Sequence, residues 1–179
     1  MILKPPKGAM LNRGHPLALG LVGCWLMNEG GGNIVNDLSG NGNTGVFVGD
    51  GVSWSAGKYG PGISLAGSDD YVSLGTNACI LGSIPQFTVV CSAKVSKTGY
   101  HCLVSKGLPL AGSPYAGKGW ALTIDQTNSY VYFDSYRDGI RKYQRPSVSI
   151  TQNMDYQFVS VKLNNSEVDN GKIYVSGNL

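Results

Sequence analysis

Short apolar or alternating segments, separated by Gly, Asn, Asp and Pro, run along most of the chain. The clearest alternation lies in 87–95, where one face carries Phe87, Val89, Cys91, Ala93 and Val95. A period of two is typical of a half-buried β-strand. No window sustains the i, i+3, i+4, i+7 apolar spacing of a long amphipathic helix. The pattern therefore predicts an all-β protein.

Turn signals recur about every ten residues, which is typical of an antiparallel sandwich. The predicted strands are 21–27, 46–48, 52–54, 63–65, 71–74, 87–95, 100–105, 120–124, 130–136, 147–150, 156–163 and 172–175. The first, 21–27, is a continuous apolar run, which predicts an inner strand buried on both faces. Turns are predicted at 49–51, 60–62 and 68–70.

The amino-acid composition agrees with an all-β protein and limits the classes of partner that we expect. The chain has 26 Gly, 10 Tyr and 14% charged residues, as in a turn-rich β protein, and 42% hydrophobic residues, enough for a core. The net charge is only +3. The densest basic cluster comprises Arg137, Arg141, Lys142 and Arg145, beside Tyr136 and Tyr143. Basic and aromatic residues together can bind nucleic acid. Because the net charge is not strongly positive, we favour the interpretation that this cluster lies on a solvated hairpin. Nucleic acid is therefore not an expected partner.

The first 19 residues contain three prolines and little pattern, so we expect an extended N-terminal arm (1–19) that crosses the body or reaches a neighbour. The tetrapeptide Leu21–Cys24 looks like a lipoprotein cleavage site. Residues 12–16 interrupt the apolar region that such a signal requires. We therefore expect no ordinary signal peptide. No run reaches the ~18 apolar residues of a membrane span.

Four cysteines, Cys24, Cys79, Cys91 and Cys102, allow three fully paired connectivities, between which the sequence does not choose. None has CxxC spacing, and the two histidines do not complete a zinc pattern. Because Cys24 and Cys91 lie in apolar runs, we expect free thiols that pack as small core residues. Disulfides are the alternative if the protein is exported.

A composite order of segments resembles the concanavalin A-like, laminin G-like domains of bacterial and phage surface proteins. The matching segments are GLVGCWLMNEGGGN, DLSGNGNTG, SWSAGKYGPGISLAGSDDYVSLG, FTVVCSAKV, CLVSKG, GWALTI and MDYQFVSVKLNN…GKIYVSGNL. The resemblance implies a two-sheet jelly-roll sandwich over residues 20–179. Chains of this family continue past the last segment through closing strands. We therefore expect a fragment or a sheet edge completed by a partner, with cover by the arm as the third alternative.

Catalysis is not expected. Sugar-cleaving enzymes of similar fold use paired carboxylates about 5–9 Å apart. The chain has only two glutamates, Glu29 and Glu167, far apart in sequence, and Glu29 lies in a loop where a structural role is favoured. Asp69 and Asp70 are adjacent, so their side chains would diverge on an extended strand. A G-x-S-x-G nucleophile elbow is also absent from the sequence.

The Gly/Asn loop 28–45 raises the question of a metal. Asp37, Asn41 and Asn43, with Ser39, offer oxygen ligands at alternating positions, and Ca²⁺ binds several such oxygens, including carbonyls. Domains of the family that the sequence resembles often hold calcium with this loop and with a residue from a late strand, which this sequence lacks. The alternative, which is slightly favoured, is that these side chains cap turns through bonds to the backbone.

Glycan binding would use aromatic side chains near polar loops. The candidates are Trp54, Tyr59, Tyr115 and Trp120, with Tyr115 in the long loop 106–119 preferred. Core packing is the favoured alternative for Trp54 and Trp120. The resemblance implies a non-catalytic binding or adhesion module on a cell or virion surface, recognising glycan or protein. The second hypothesis is a purely structural virion component, such as a decoration or fibre protein. It would dock through its arm and open sheet edge on copies of itself or on other virion proteins.

Overall fold

The computed structural model describes residues 4–75, 86–96, 98–107, 119–137, 140–144, 149–162 and 172–176. Within these ranges the chain forms twelve β-strands, paired antiparallel, and one short 3-10 turn, Pro16–Ala18. The predicted all-β class is therefore confirmed. Backbone contacts divide the chain into two compact units, Met1–Cys79 and Ile80–Leu179.

The first unit contains a three-stranded sheet and a two-stranded hairpin. The sheet has the order β1-β2-β5, formed by β1 (Ile34–Val35), β2 (Gly45–Val48) and β5 (Tyr71–Ser73). The hairpin joins β3 (Val52–Gly57) to β4 (Gly60–Leu65). Val35 is fully buried, and Phe47 packs on Trp54 with ring centroids 5.2 Å apart.

The hairpin turn differs from the prediction. The predicted turn at 60–62 is wrong, because these residues belong to β4, and the turn residues are Lys58 and Tyr59. Gly60 has φ +126°, a conformation that glycine adopts readily, and it pairs with Gly57 to close the hairpin. Pro61 fits β4 because a two-stranded ribbon leaves one side of each strand without ladder partners.

The predicted strand 21–27 is also wrong. This segment is half-buried and forms no strand. Gly20 and Met27, at its two ends, have φ +74° and +53°, so the chain turns away from a straight strand path on both sides. Its backbone instead bonds to the following loop, where the N–H of Leu38 donates to the carbonyl of Cys24 at 2.8 Å.

The second unit consists of two antiparallel sheets. One has the order β10-β9-β8-β7, formed by β7 (Tyr100–Lys106), β8 (Gly119–Asp125), β9 (Tyr130–Arg137) and β10 (Ile140–Gln144). The other has the order β12-β11-β6, formed by β6 (Phe87–Lys94), β11 (Asp155–Lys162) and β12 (Lys172–Val175). Side chains from both sheets form one apolar cluster, so the sheets enclose a common core.

The predicted alternation in β6 is confirmed. Four alternating side chains of β6, from Phe87 to Ala93, and Val95 just after the strand pack against the core, whereas Val90, on the opposite face, is 67% exposed. The core itself is fully buried at Leu122 and Phe158.

The hydrophobic pattern does not predict two of the strands, and it predicts one strand whose described residues form a loop. β1 is only two residues long, and β10 is polar in sequence, so neither gives an apolar period. Both exist because an adjacent strand pairs with them. The predicted strand 147–150 lies partly outside the described residues, and Ser149 and Ile150 are not in a strand. Ile150 is buried and its N–H donates to the carbonyl of Ser129 at 3.0 Å.

Candidate functional site

The loop after segment 21–27 is organised by the carboxylate of Asp37. Its Oδ1 accepts hydrogen bonds from the backbone N–H groups of Cys24 and Ser39, each at 2.9 Å. Its Oδ2 accepts from the Ser39 hydroxyl at 2.8 Å and from the Asn43 N–H at 3.0 Å. Desolvation alone would raise the pKa of Asp37, but these hydrogen bonds outweigh it and lower the pKa.

Two asparagine amides bind the backbone of the preceding segment. Asn41 Nδ2 donates to the carbonyls of Leu21 and Val22, both at 3.0 Å, and Asn43 Nδ2 also donates to Val22 at 3.0 Å. The indole N–H of Trp25 donates back to the carbonyl of Asn43 at 2.7 Å. Loop side chains therefore supply partners that a neighbouring strand would otherwise supply.

These contacts bear on the predicted calcium ligands Asp37, Asn41 and Asn43. A carboxylate has about four lone-pair positions, and four donors already face those of Asp37. Among the described residues, no group of three or more His, Cys, Asp and Glu side chains could hold a metal. The geometry favours the turn-capping interpretation, and calcium binding stays the alternative hypothesis.

The predicted binding aromatics of the first unit lie on the β3–β4 hairpin. The half-buried Trp54 donates its indole N–H to the carbonyl of Gly32 at 2.7 Å. Tyr59 is half-buried at the turn, with the ammonium of Lys58 5.5 Å from its ring centroid. Trp54 thus joins the hairpin to the loop before β1, a structural contact that leaves part of the ring accessible.

The other two predicted binding aromatics are Trp120 and Tyr115. Trp120 is 7% exposed and lies in the core of the second unit, 5.3 Å from Phe87 and 6.0 Å from Phe133 between ring centroids. Its indole therefore packs in the core, as the favoured alternative for Trp120 expects. Tyr115, the preferred candidate, lies outside the described residues.

A cluster of four tyrosines covers the second unit's four-stranded sheet on the face away from the core. This tyrosine cluster consists of Tyr100, Tyr130, Tyr132 and Tyr143. Tyr132 is central, with ring centroids 6.2 Å from Tyr100, 6.3 Å from Tyr130 and 5.7 Å from Tyr143. Tyr100 and Tyr143 are each 56% exposed. The cluster is therefore a largely accessible aromatic surface.

Strand register explains how the rings meet. Tyr100 on β7 and Tyr130 on β9 both pair with Asp125 of the intervening β8. Strands two apart are separated by about 9.6 Å, twice the ~4.8 Å spacing of neighbours. The stacked rings of Tyr100 and Tyr132 lie closer than that, so they lean over β8.

A buried polar pair lies on the same face of the sheet. The hydroxyl of Thr123 donates to Oδ2 of Asp134 at 3.0 Å, and these residues are only 6% and 4% exposed. Asp125, 7% exposed, holds the β8–β9 turn by accepting from the N–H groups of Thr127 and Asn128. Satisfied polar groups of this kind hold neighbouring strands rigidly in place.

The sequence contained part of the signal for this cluster. Tyr130 and Tyr132 have the i, i+2 spacing that places side chains on one face of a strand. Tyr100 and Tyr143 join them only through strand pairing, because Tyr143 pairs with Asp134 across β9 and β10. That pairing depends on β10, which the apolar pattern does not predict.

The described cysteines, Cys24, Cys91 and Cys102, are free thiols. Burial, with a smaller contribution from Cys102, raises the pKa of Cys91 to about 12. Burial likewise raises the pKa of Cys102 and of Cys24. Because the thiolate is the reactive form, these side chains are poor nucleophiles at neutral pH.

Comparison of the chain with models of known families, with curated proteins and with solved structures finds no match. In the part of the chain that the structure describes, no helix has the length and apolar character needed to cross a membrane.

We predict that Asp37→Ala destabilises the protein by about 1–3 kcal/mol, because it leaves several donors without their acceptor. A folded-state pKa below the ordinary value of ~3.9 means that this stabilisation is present above pH ~4 and is lost as the pH falls further. Urea denaturation at pH 7 and pH 3 would measure both effects.

The matched control is Asp50→Ala, which removes an exposed carboxylate in the turn before β3. We expect its urea midpoint to stay near that of the wild type. Equal midpoints for the two variants at pH 7 would show that the Asp37 contacts do not stabilise the loop.

For calcium, we predict the same melting temperature in excess Ca²⁺ and in excess chelator, since the Asp37 oxygens already have donors. A higher melting temperature in Ca²⁺ that disappears in Asp37→Ala would instead support the calcium site. Differential scanning calorimetry of the full chain makes this measurement.

Proposed function

We propose that this chain is a non-catalytic binding module that recognises glycans through its tyrosine cluster. The observation that supports this most directly is the exposure of Tyr100 and Tyr143 beside Tyr132 on a sheet face. A tyrosine presents an apolar ring and a polar hydroxyl together. Sugar rings are complementary, because they have C–H faces for stacking and hydroxyls at their edges.

Rigidity of the platform adds to this argument. Tyr132 contacts three other rings, and the strands beneath are joined by the buried Thr123–Asp134 hydrogen bond. Binding therefore requires little ordering of side chains, which is one of the main free-energy costs of association. Tyrosines in such preorganised positions are common binding hot spots.

The fold we propose for the sandwich is the concanavalin A-like jelly roll over residues 20–179, with residues 1–19 as an arm. In support, β6 pairs with β11 and not with its sequence neighbour β7, so the chain crosses between sheets before it returns. Such long connections are typical of jelly rolls and Greek keys. The proposed setting is a cell or virion surface, as in the proteins that the sequence resembles.

A second candidate function is a structural subunit of a larger assembly, such as a virion. The observation that favours it lies in the first 19 residues, where Met10, Leu17 and Leu19 are 93%, 85% and 79% exposed. Several large apolar side chains exposed on one short segment are typical of a contact with another chain. The partner would be another copy or a different virion protein.

We predict that Tyr100→Ala and Tyr143→Ala each weaken glycan binding about tenfold, the equivalent of ~1.4 kcal/mol per lost ring contact. A glycan array would identify the ligand, and titration calorimetry with that ligand would measure the loss. The control is Tyr71→Ala on β5, which removes a similarly exposed tyrosine (48%) outside the cluster.

If Tyr71→Ala loses glycan binding and neither cluster variant does, the glycan site lies outside the tyrosine cluster. If the wild type binds no glycan on the array and instead captures a purified surface protein, the module recognises protein. If it binds neither, the structural candidate is supported.

For the structural candidate, we predict self-association that rises with concentration and is lost when Met10, Leu17 and Leu19 are replaced together by Ser. Size-exclusion chromatography with light scattering measures the mass directly. Because the three side chains are exposed, the variant should fold normally. If the wild type is a monomer at all concentrations, it does not self-assemble, and the structural candidate then requires docking on a different protein.

A further inference from the structure

Residues 4–22, the N-terminal loop, are fixed to the first unit at several points. At the start, the N–H of Lys4 donates to the carbonyl of Tyr59 at 2.8 Å. Near the centre, the guanidinium of Arg13 lies against Gly40. At the end, the carbonyls of the last two residues accept from side-chain amides of the Gly/Asn loop. The described part of this segment is therefore a tethered loop and not a free tail.

The N-terminal loop carries the three most exposed large apolar side chains among the described residues. They are Met10, Leu17 and Leu19, each at least 79% exposed. A cavity of about 360 Å³ lies between residues 6–11 and residues 36–38, so this half of the loop is not packed tightly on the first unit. Exposed apolar side chains gathered on one short segment mark a site of interaction.

The turn that carries the two leucines satisfies much of its own backbone. Four N–H groups in this turn donate to the carbonyl three residues earlier, at 2.8–3.2 Å. The four donors are those of His15, Ala18, Leu19 and Leu21. The N–H of Leu17 donates to His15 Nδ1 at 3.2 Å. Because these groups already have partners within the chain, the turn can leave water at a lower cost than an open loop.

The formal charge of the chain is concentrated in the same stretch. Of the 14 Lys and Arg residues, three lie in residues 1–28, which contain no Asp or Glu, and the remaining 11 balance the 11 acidic residues. Lys7 and Arg13 are exposed. Glu29 and Asp37, which lie beside the cavity, are half-buried and accept hydrogen bonds from neighbouring N–H groups. The exposed charge of the loop is therefore positive.

These properties fit an anionic lipid surface better than a protein partner. Interfacial membrane anchors combine apolar side chains that enter the boundary of the acyl chains with Lys and Arg that attract anionic headgroups. The cores of protein interfaces are instead enriched in aromatic side chains, and residues 4–22 contain no Phe, Tyr or Trp. A fluid bilayer also needs no surface matched to its shape, so a few protruding side chains suffice.

We propose that the N-terminal loop binds the surface of membranes that contain anionic lipid. Met10, Leu17 and Leu19 enter the interface, and Lys7 and Arg13 attract the headgroups. Binding is peripheral and reversible, because three side chains bury far less apolar area than a spanning helix does. This interaction goes beyond glycan recognition and does not depend on the tyrosine cluster.

The test is co-sedimentation of the full chain with vesicles of phosphatidylcholine alone, or of phosphatidylcholine mixed with phosphatidylserine. Neither vesicle carries glycan. We expect binding to the mixed vesicles that weakens as the salt concentration rises, and much weaker binding to phosphatidylcholine. Equal binding to the two vesicle types would overturn the assignment to anionic lipid.

The double variant Leu17→Ser/Leu19→Ser tests the apolar contribution. Both side chains are exposed, so the variant should fold normally, with an unchanged melting temperature. We expect at least about tenfold weaker partitioning onto the mixed vesicles, because two leucines no longer leave water. The matched control is Val90→Ser, which changes an exposed apolar residue of β6 and should bind as the wild type does.

Lys7→Gln tests the charge. We expect about fivefold weaker binding to the mixed vesicles, with no change on phosphatidylcholine. The control Lys94→Gln removes an exposed charge from β6 and should have no effect.

Three outcomes separate this proposal from the functions proposed above. Tyr100→Ala should sediment as the wild type does, whether or not the tyrosine cluster binds glycan. Equal vesicle binding by the wild type and Leu17→Ser/Leu19→Ser would overturn the proposal. If the wild type self-associates through these leucines without lipid and sediments with neither vesicle, the loop contacts protein and the proposal is wrong.

Discussion

The first unit depends on satisfying the backbone of a segment that is not itself part of a sheet. Residues 21–27 are half-buried, so their N–H and C=O groups need partners within the protein. Asp37, Asn41 and Asn43 provide them through side-chain hydrogen bonds to Cys24, Leu21 and Val22. A Gly/Asn-rich loop suits this task because its side chains are short and its backbone turns tightly. The motif that looks most like a metal loop is accounted for by this structural role.

In the second unit the corresponding constraint is the burial of β8 on both faces. Leu122 and Ile124 point into the apolar core, whereas Thr123 and Asp125 lie on the opposite face and are also buried. The leaning rings of the tyrosine cluster cross β8 on that face. Burial of polar groups is tolerable there because Thr123 donates to Asp134 and Asp125 holds a turn. The same arrangement exposes tyrosine rings on a rigid support, which is what a binding surface requires.

Sequence reasoning succeeded where one physical effect dominated. The alternation from Phe87 to Val95 reflects a sheet with one apolar face, and the structure reproduces it. It fails at 21–27, where an apolar run predicts a strand, because hydrogen bonding, not hydrophobicity, decides whether a strand forms. β10 was missed because Ile140–Gln144 forms through pairing with β9. Half of the tyrosine cluster depends on such pairings, and a local pattern does not contain them.

Two carboxylates near the start of the chain differ in how far their hydrogen-bonding capacity is satisfied. Asp37 and Glu29 both lie in the Gly/Asn loop and both line the same cavity. Each oxygen of Asp37 accepts two hydrogen bonds, whereas one oxygen of Glu29 accepts two and the other accepts none from the residues that the structure describes. A saturated carboxylate stabilises a loop and has little capacity left for a ligand. The second oxygen of Glu29 is buried and closed off from solvent, so it is a free-energy cost of this loop and not an acceptor that a ligand can reach.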